Sequence, residues 1–160
     1  MFNIYLYYIF DQQIAEALVL MRKRIHEDKD AYADIVLVDW VFFNKLKNLN
    51  VEPDDYIAKY IIGLYPRLYG KPWTGVKRIY TPFMFGDNHW AALEIILETH
   101  LVNVYDCNHP VTNEHKVISG LAHFCEQLKR IMKNHNFFGE MDDTPFSVVR
   151  IPALPHNHDG

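Results

Sequence analysis

The chain has 160 residues and a net charge of −4, from 16 Lys and Arg against 20 Asp and Glu. This length suits one domain with one core, so we expect residues 1–160 to form a single domain. The first 80 residues hold 11 basic and 10 acidic side chains and the last 80 hold 5 and 10, so neither half has the basic excess that a nucleic-acid partner requires. A hydrophobic content of 49% excludes a disordered chain. We predict a globular protein that does not bind nucleic acid.

The apolar run Phe2–Phe10 has neither the basic start of a signal peptide nor the length to span a bilayer, so we expect no membrane partner. The two cysteines, Cys107 and Cys125, are too few for a thiolate metal site and allow at most one disulfide. Such low cysteine usage is typical of a reducing compartment. The tail His156–Asp159 lacks a rigid neighbour, so we expect no metal there.

Helical periodicity and capping residues organise the first half of the chain. Asp11–Ile25 places apolar residues on one helical face, and Asp11 is suited to cap its start. Asp34–Leu46 is apolar nearly all round, a pattern that fits helix or strand, and we interpret it as a buried helix. Pro53, followed by two acidic residues, predicts a short helix through Ile61.

Strand patterns dominate the second half. We predict strands over Val76–Thr81, His89–Leu97 and Leu101–Asp106, with the last two forming a β-hairpin. Apolar residues recur at helical spacing over Val117–Met132 and predict an amphipathic helix that packs on the sheet. Phe146–Ile151 is a further predicted strand. Helices followed by strands with one packed helix indicate an α+β fold with a mainly antiparallel sheet.

The predicted hairpin places an imidazole and a carboxylate together at one edge of an apolar sheet face. Side chains alternate across a strand, so with an even loop the odd positions of the first strand share a face with even positions of the second. His89 begins the first strand and Asp106 ends the second, and antiparallel pairing brings these ends side by side. An Asp that orients a His is two-thirds of a nucleophilic triad. A local hydrogen bond without catalytic meaning is the alternative. The shared face also carries Ala91, Leu93, Ile95, Leu97, Val102 and Val104.

Four short motifs surround this pair. They are Gly70-Lys71-Pro72-Trp73, Arg78-Ile79-Tyr80-Thr81-Pro82, Asn88-His89-Trp90-Ala91 and Val104-Tyr105-Asp106-Cys107. Together they resemble the Ulp/SENP ubiquitin-like-protein proteases, and most of all the plant branch found in transposon-associated genes. In that family a strand ending in proline precedes a His-Trp pair, and a Tyr-Asp pair follows across a hairpin. The resemblance covers nearly the whole chain and implies a papain-like cysteine peptidase fold.

The resemblance also implies a function and a set of site residues. The family is a group of cysteine-type peptidases that cleave after the C-terminal Gly-Gly of a ubiquitin-like, SUMO-like modifier without a cofactor. His89 would be the general base and Asp106 its orienting acid. Trp90 would wall the tunnel for the Gly-Gly tail, Tyr8 would be a second tunnel aromatic just before the first helix, and Asp11 would contact the modifier. Their structural alternatives are a core filler, a buried strand residue and a simple N-cap.

The sequence departs from the family at the nucleophile. The family has a Gln followed shortly by Asp-Cys-Gly, whereas Pro152–Gly160 contains no Cys. By rough alignment, His156 or Asn157 takes the oxyanion position. Cys107 is expected to face away from the triad acid, and Cys125, on the apolar stripe of a helix, is expected to be an inert buried thiol. We therefore expect the 160 residues to hold the base and its acid without the nucleophile.

Two explanations fit this ending. The domain is truncated before the nucleophile loop and helix, or it is an inactive remnant that acts as a modifier-binding module. In both cases the expected partner is a ubiquitin-like modifier or its conjugates. We expect a monomer in the nucleus or cytoplasm, with the nucleus implied by the resemblance alone. A missing nucleophile helix would also leave the apolar face of Ala91, Leu93 and Val104 exposed.

Overall fold

In the computed structural model, residues 2–48, 55–85, 89–106, 113–136 and 143–152 are described, with the backbone alone for residues 2–11 and 55. The elements in chain order are α1 (Phe2–Glu27), β1 (Ile35–Leu37), α2 (Trp40–Lys47), α3 (Asp55–Ile61), β2 (Arg78–Phe85), β3 (His89–Ile96), β4 (Leu101–Tyr105), α4 (Glu114–Asn134) and β5 (Ser147–Ile151). The predicted α+β class is confirmed. No helix in these ranges is long and apolar enough to cross a membrane.

The five strands form one sheet in the order β1-β2-β3-β4-β5. The two central pairings, β2 with β3 and β3 with β4, are antiparallel. The two outer pairings, β1 with β2 and β4 with β5, are parallel. The sheet is therefore mixed, with the antiparallel pairing that the sequence predicts at its centre and one parallel strand at each edge. Parallel neighbours need a crossover connection, and the segments that hold α2, α3 and α4 provide these crossovers.

The first helix is longer than the sequence pattern predicts. Helix α1 begins at Phe2, because Phe2–Phe10 contains neither Gly nor Pro to interrupt a helix. Asp11 therefore lies inside α1, and its assignment as the N-cap is wrong. Tyr8 also lies inside this helix, so it neither precedes the helix nor belongs to a strand. The side chains of both residues lie outside the described part of the structure.

The segment Asp34–Leu46, expected to be one buried helix, divides into a strand and a helix. The β-branched residues Ile35 and Val36 begin β1, which ends at Leu37 and pairs with β2. Asp39 then caps α2, because its side chain accepts a hydrogen bond from the Phe42 backbone amide at 3.2 Å. The same carboxylate oxygen accepts a second hydrogen bond from the Tyr60 hydroxyl at 2.6 Å. A cap in mid-segment ends the strand and starts the helix.

Strand β2 runs to Phe85, beyond its predicted end at Thr81. Pro82 is tolerated within it because β1 pairs only with residues 78–80, so β2 is an edge strand from there onward. The predicted hairpin register is confirmed, since Leu93 lies opposite Val104 in the β3–β4 pair.

Helices α2 and α4 cover the apolar face of the sheet. The ring of Phe43 on α2 lies 5.3 Å from that of Phe83 on β2 and 4.9 Å from that of Phe124 on α4, measured between centroids. Leu93 and Val104 are fully buried beneath them. The expectation that this face is exposed is therefore wrong, because α2 and α4 already exclude water from it.

The opposite face of the sheet holds a polar cluster around Glu94. Its carboxylate accepts hydrogen bonds from the Tyr80 hydroxyl at 2.6 Å, the Asn103 amide at 2.9 Å and the Tyr105 hydroxyl at 2.8 Å. Burial by itself would raise the pKa of Glu94, but these hydrogen bonds and the charge of Arg78 hold the pKa below its ordinary value of 4.5. Burial and the bond to Glu94 raise the pKa of Tyr80 to about 12, so its hydroxyl remains a donor at neutral pH.

Truncation of Leu121 should identify α4 as a core element. Leu121 is 1% exposed, whereas Ile118 on the same helix is 44% exposed. We expect Leu121→Ala to lower the free energy of unfolding by about 2–5 kcal/mol, because it removes buried methyl groups and leaves a cavity. Ile118→Ala should change it by less than about 1 kcal/mol. Urea denaturation of both variants measures the difference, and equal losses would contradict the packing of α4.

Replacement of Glu94 should remove an acid-sensitive part of the stability. Its pKa is lower in the folded chain than when unfolded, so its contribution is present above about pH 4.5 and is lost as the pH falls through the folded value. We expect Glu94→Gln to be less stable than the parent at pH 7 and the difference to shrink as the pH falls below 4.5. Denaturant titrations across this range measure it, with Glu98→Gln in the exposed turn as control. A difference that is constant with pH would contradict the Glu94 assignment.

Candidate active site

The hairpin of β3 and β4 brings His89 and Asp106 together at its open end. His89 is the first residue of β3 and pairs with Phe85 of β2. Asp106 directly follows β4. Residues two positions apart in a strand share a face, so His89 lies on the face of Ala91 and Leu93, and Asp106 lies on the face of Val104. Both side chains are therefore on the sheet face that α2 and α4 cover. The His89 side chain is 20% exposed and that of Asp106 is 0% exposed, so the imidazole lies between the solvent and a buried carboxylate.

A short hydrogen bond joins the two groups. His89 Nε2 lies 2.5 Å from Asp106 Oδ1, so the contact expected from the hairpin register is present. A carboxylate only accepts hydrogen bonds, so Nε2 is the donor and Nδ1 keeps the lone pair of the neutral imidazole. Nδ1 is consequently the nitrogen with which His89 can accept a proton from another group. The catalytic role of the pair remains a prediction.

Arg150 is a third member of this cluster that the sequence analysis missed. Its Nη2 lies 2.5 Å from Asp106 Oδ2, and its side chain is 5% exposed. Arg150 belongs to β5, which lies beside β4 with Arg150 in register with Val104. The sequence contained one signal, since Arg150 is the single charged residue of the strand Ser147–Ile151. That signal gives no partner without the knowledge that β5 adjoins β4.

The other predicted site residues fall into two groups. Trp90 is half-buried, pairs with Met84 and points to the sheet face opposite His89, as strand alternation predicts. Tyr8 and Asp11 lie in α1, and their side chains are not described. The oxyanion candidates His156 and Asn157 lie outside the described residues. The structure therefore brings His89 and Asp106 together and leaves the remaining assignments as predictions.

Cys125 is the thiol of the described part of the chain, and its surroundings make it unreactive. It lies on α4 and is 7% exposed. Burial raises the pKa of its thiol from 9.0 to about 12, so the nucleophilic thiolate is scarce at neutral pH. Cys107 lies outside the described residues. Within the ranges that the structure describes, no group of three or more His, Cys, Asp or Glu side chains could hold a metal ion.

Comparison with known proteins gives one family. Residues 7–160 match the sequence profile of the Ulp1 protease family, C-terminal catalytic domain. No curated protein sequence matches significantly. Among solved structures, the chain is similar to the C-terminal Ulp1 protease domain in complex with SMT3, the yeast ortholog of SUMO. The two share 15% sequence identity with a TM-score of 0.47, and the match covers 86% of this chain and 56% of that one. It is also similar to SUMO protease Ulp1 with its catalytic cysteine oxidised to a sulfenic acid, with 16% identity, a TM-score of 0.44, and coverage of 82% and 54%. The chain spans a little over half the length of these structures.

The reactivity of Cys125 can be measured directly. In a Cys107→Ser background, we expect an aromatic disulfide reagent to modify the native protein far more slowly than free cysteine, because a pKa of about 12 lowers the thiolate fraction about a thousand-fold. Denaturation should restore ordinary reactivity. The Cys107→Ser/Cys125→Ser protein provides the blank, and fast labelling of folded Cys107→Ser protein would show that Cys125 is an accessible nucleophile.

Proposed function

Because the chain belongs to the Ulp1 protease family, we propose that it is the base-bearing part of a cysteine peptidase that cleaves after the C-terminal glycine of a ubiquitin-like modifier. The observation that carries this proposal is the 2.5 Å contact between His89 Nε2 and Asp106 Oδ1. It leaves Nδ1 as the proton acceptor of an imidazole that is partly open to solvent. A base of this kind is what activation of a thiol requires.

The chemistry follows from this arrangement. Nδ1 of His89 takes the proton of an attacking thiol, and the thiolate adds to the carbonyl carbon of the modifier's last glycine. The Asp106 carboxylate stabilises the imidazolium that forms. The imidazolium then gives its proton to the leaving amine, and a thioester with the modifier remains. Water opens the thioester with His89 again as base, which releases the modifier carboxylate and restores the thiol.

The attacking thiol is the part that these residues do not supply. Cys125 is buried and protonated. For Cys107, alternation along the sequence predicts a side chain that faces away from that of its neighbour Asp106. We therefore propose that the 160 residues provide base and acid but no nucleophile. Hydrolysis then depends on a thiol presented to His89 from elsewhere. Without such a thiol the same surface would serve as a binding module.

The proposal assigns substrate contacts by family membership. Trp90 would wall the channel for the glycine tail; it follows His89 in β3, and its half-buried side chain lies on the opposite face of the sheet. Tyr8 and Asp11 on α1 would contact the modifier. The oxyanion would be stabilised by His156 or Asn157. The partner is a ubiquitin-like modifier or its conjugates, bound by a single copy of the chain in the nucleus or cytoplasm.

Activity measurements on two forms of the chain test this function. The 160-residue chain should release no fluorophore from a modifier with a C-terminal fluorogenic amide. A chimaera in which the Cys-containing helix of an active relative follows Gly160 should do so, because nucleophile and base act as a unit. In the chimaera, Asp106→Asn should lower kcat by about 10²- to 10⁴-fold.

Two controls make the result decisive. His89→Ala in the chimaera should abolish turnover, whereas His123→Ala on the exposed side of α4 should not. Turnover by the 160-residue chain that is lost in His89→Ala would contradict the absence of a nucleophile. Binding of the modifier by the 160-residue chain, with an inactive chimaera, would favour the binding module.

A further inference from the structure

The two oxygens of the Asp106 carboxylate are divided between two different partners. Oδ1 accepts from His89 Nε2 and Oδ2 binds Arg150 Nη2, each at 2.5 Å. A carboxylate rotates about its χ2 bond as a rigid unit, so a partner that fixes Oδ2 also fixes the direction of Oδ1. A charge-assisted hydrogen bond from a guanidinium is among the stronger and more directional contacts available for this purpose.

Burial gives the Arg150 contact its strength. The Asp106 side chain is 0% exposed and that of Arg150 is 5% exposed, so water does not compete for the carboxylate. His89 is the more exposed of the two partners, and it carries a charge only when protonated. Arg150 is always charged and therefore compensates the buried carboxylate during the part of a cycle in which the imidazole is neutral.

Strand geometry explains why an arginine at this position reaches the acid. Arg150 is in register with Val104 of the parallel neighbour β4, and Asp106 lies two residues further along on the same face. Two residues of a strand span about 6.6 Å, which the long Arg side chain can bridge. The contact ties the last described strand to the end of β4, 44 residues earlier in sequence.

We propose that Arg150 is a positioning residue, which orients Asp106 so that His89 is held as the Nε2–H tautomer with Nδ1 free to act as base. The inference rests on the proposed function for its catalytic meaning, but the tautomer of His89 is a property of the folded chain and needs no hydrolysis. Arg150 acts on the reaction only through Asp106 and His89. A purely structural ion pair would stabilise the fold and leave the tautomer unchanged.

Nitrogen-15 NMR of the imidazoles in the 160-residue chain tests the proposal, because protonated and unprotonated ring nitrogens differ widely in chemical shift. The chain has nine histidines, so the His89 signals are identified by their loss in His89→Asn. The parent should show His89 as the Nε2–H tautomer. In Arg150→Met the preference for this tautomer should fall roughly tenfold, the order of the contribution of one charge-assisted hydrogen bond. Arg150→Lys, which keeps a charged donor for Oδ2, should restore most of it.

Arg78→Met is the matched control. It makes the same replacement at an exposed site of the same sheet, where the arginine acts on Glu94 and not on Asp106. His89 should be unchanged in this variant. An Nδ1–H tautomer in the parent, or an unaltered tautomer in folded Arg150→Met protein, would overturn the proposal. If neither Arg150 variant folds, the ion pair is a folding requirement and the separate positioning role is rejected.

Discussion

The antiparallel register of β3 and β4 determines the relative positions of the candidate catalytic pair and of Glu94 with its partners on β4. With Leu93 opposite Val104, His89 and Asp106 share the covered face at the open end of the hairpin. A slip of one residue would move one of these side chains to the other face and would also expose the core positions. The burial of those positions beneath α2 and α4 therefore holds the register, and the geometry of the candidate site depends on the stability of the core.

Two carboxylates occupy the two faces of the sheet and differ in the nature of their donors. Glu94 accepts hydrogen bonds from two phenols and an amide, which satisfy the charge and exchange no proton near neutral pH. Asp106 is bound by an imidazole and a guanidinium. Of these donor types, imidazole is the one that commonly serves as a general base in proteins, so proton transfer is possible on the Asp106 side. Both carboxylates accept short hydrogen bonds, so the contacts alone do not distinguish the two clusters. The chemistry of the donors does.

The division of the Asp106 oxygens also links the candidate base to the C-terminal strand. Arg150 lies one strand beyond the hairpin, and its guanidinium fixes the acid from the side opposite His89. The placement of β5 therefore affects the imidazole through one carboxylate.

Local patterns in the sequence were sufficient to predict the hairpin, the pairing of its faces, helix α4 and the proximity of His89 and Asp106, because each depends on alternation or periodicity over neighbouring residues. The motifs around that pair also indicated the family that the profile match shows. The tertiary structure alone decided that Ile35–Leu37 is a strand, since a short apolar run becomes a strand only where a neighbour is available to pair with it. It also decided that β5 lies parallel to β4 and that Arg150 thereby reaches Asp106. A parallel neighbour is selected by the packing of the intervening crossover helix, and no local sequence pattern records that choice.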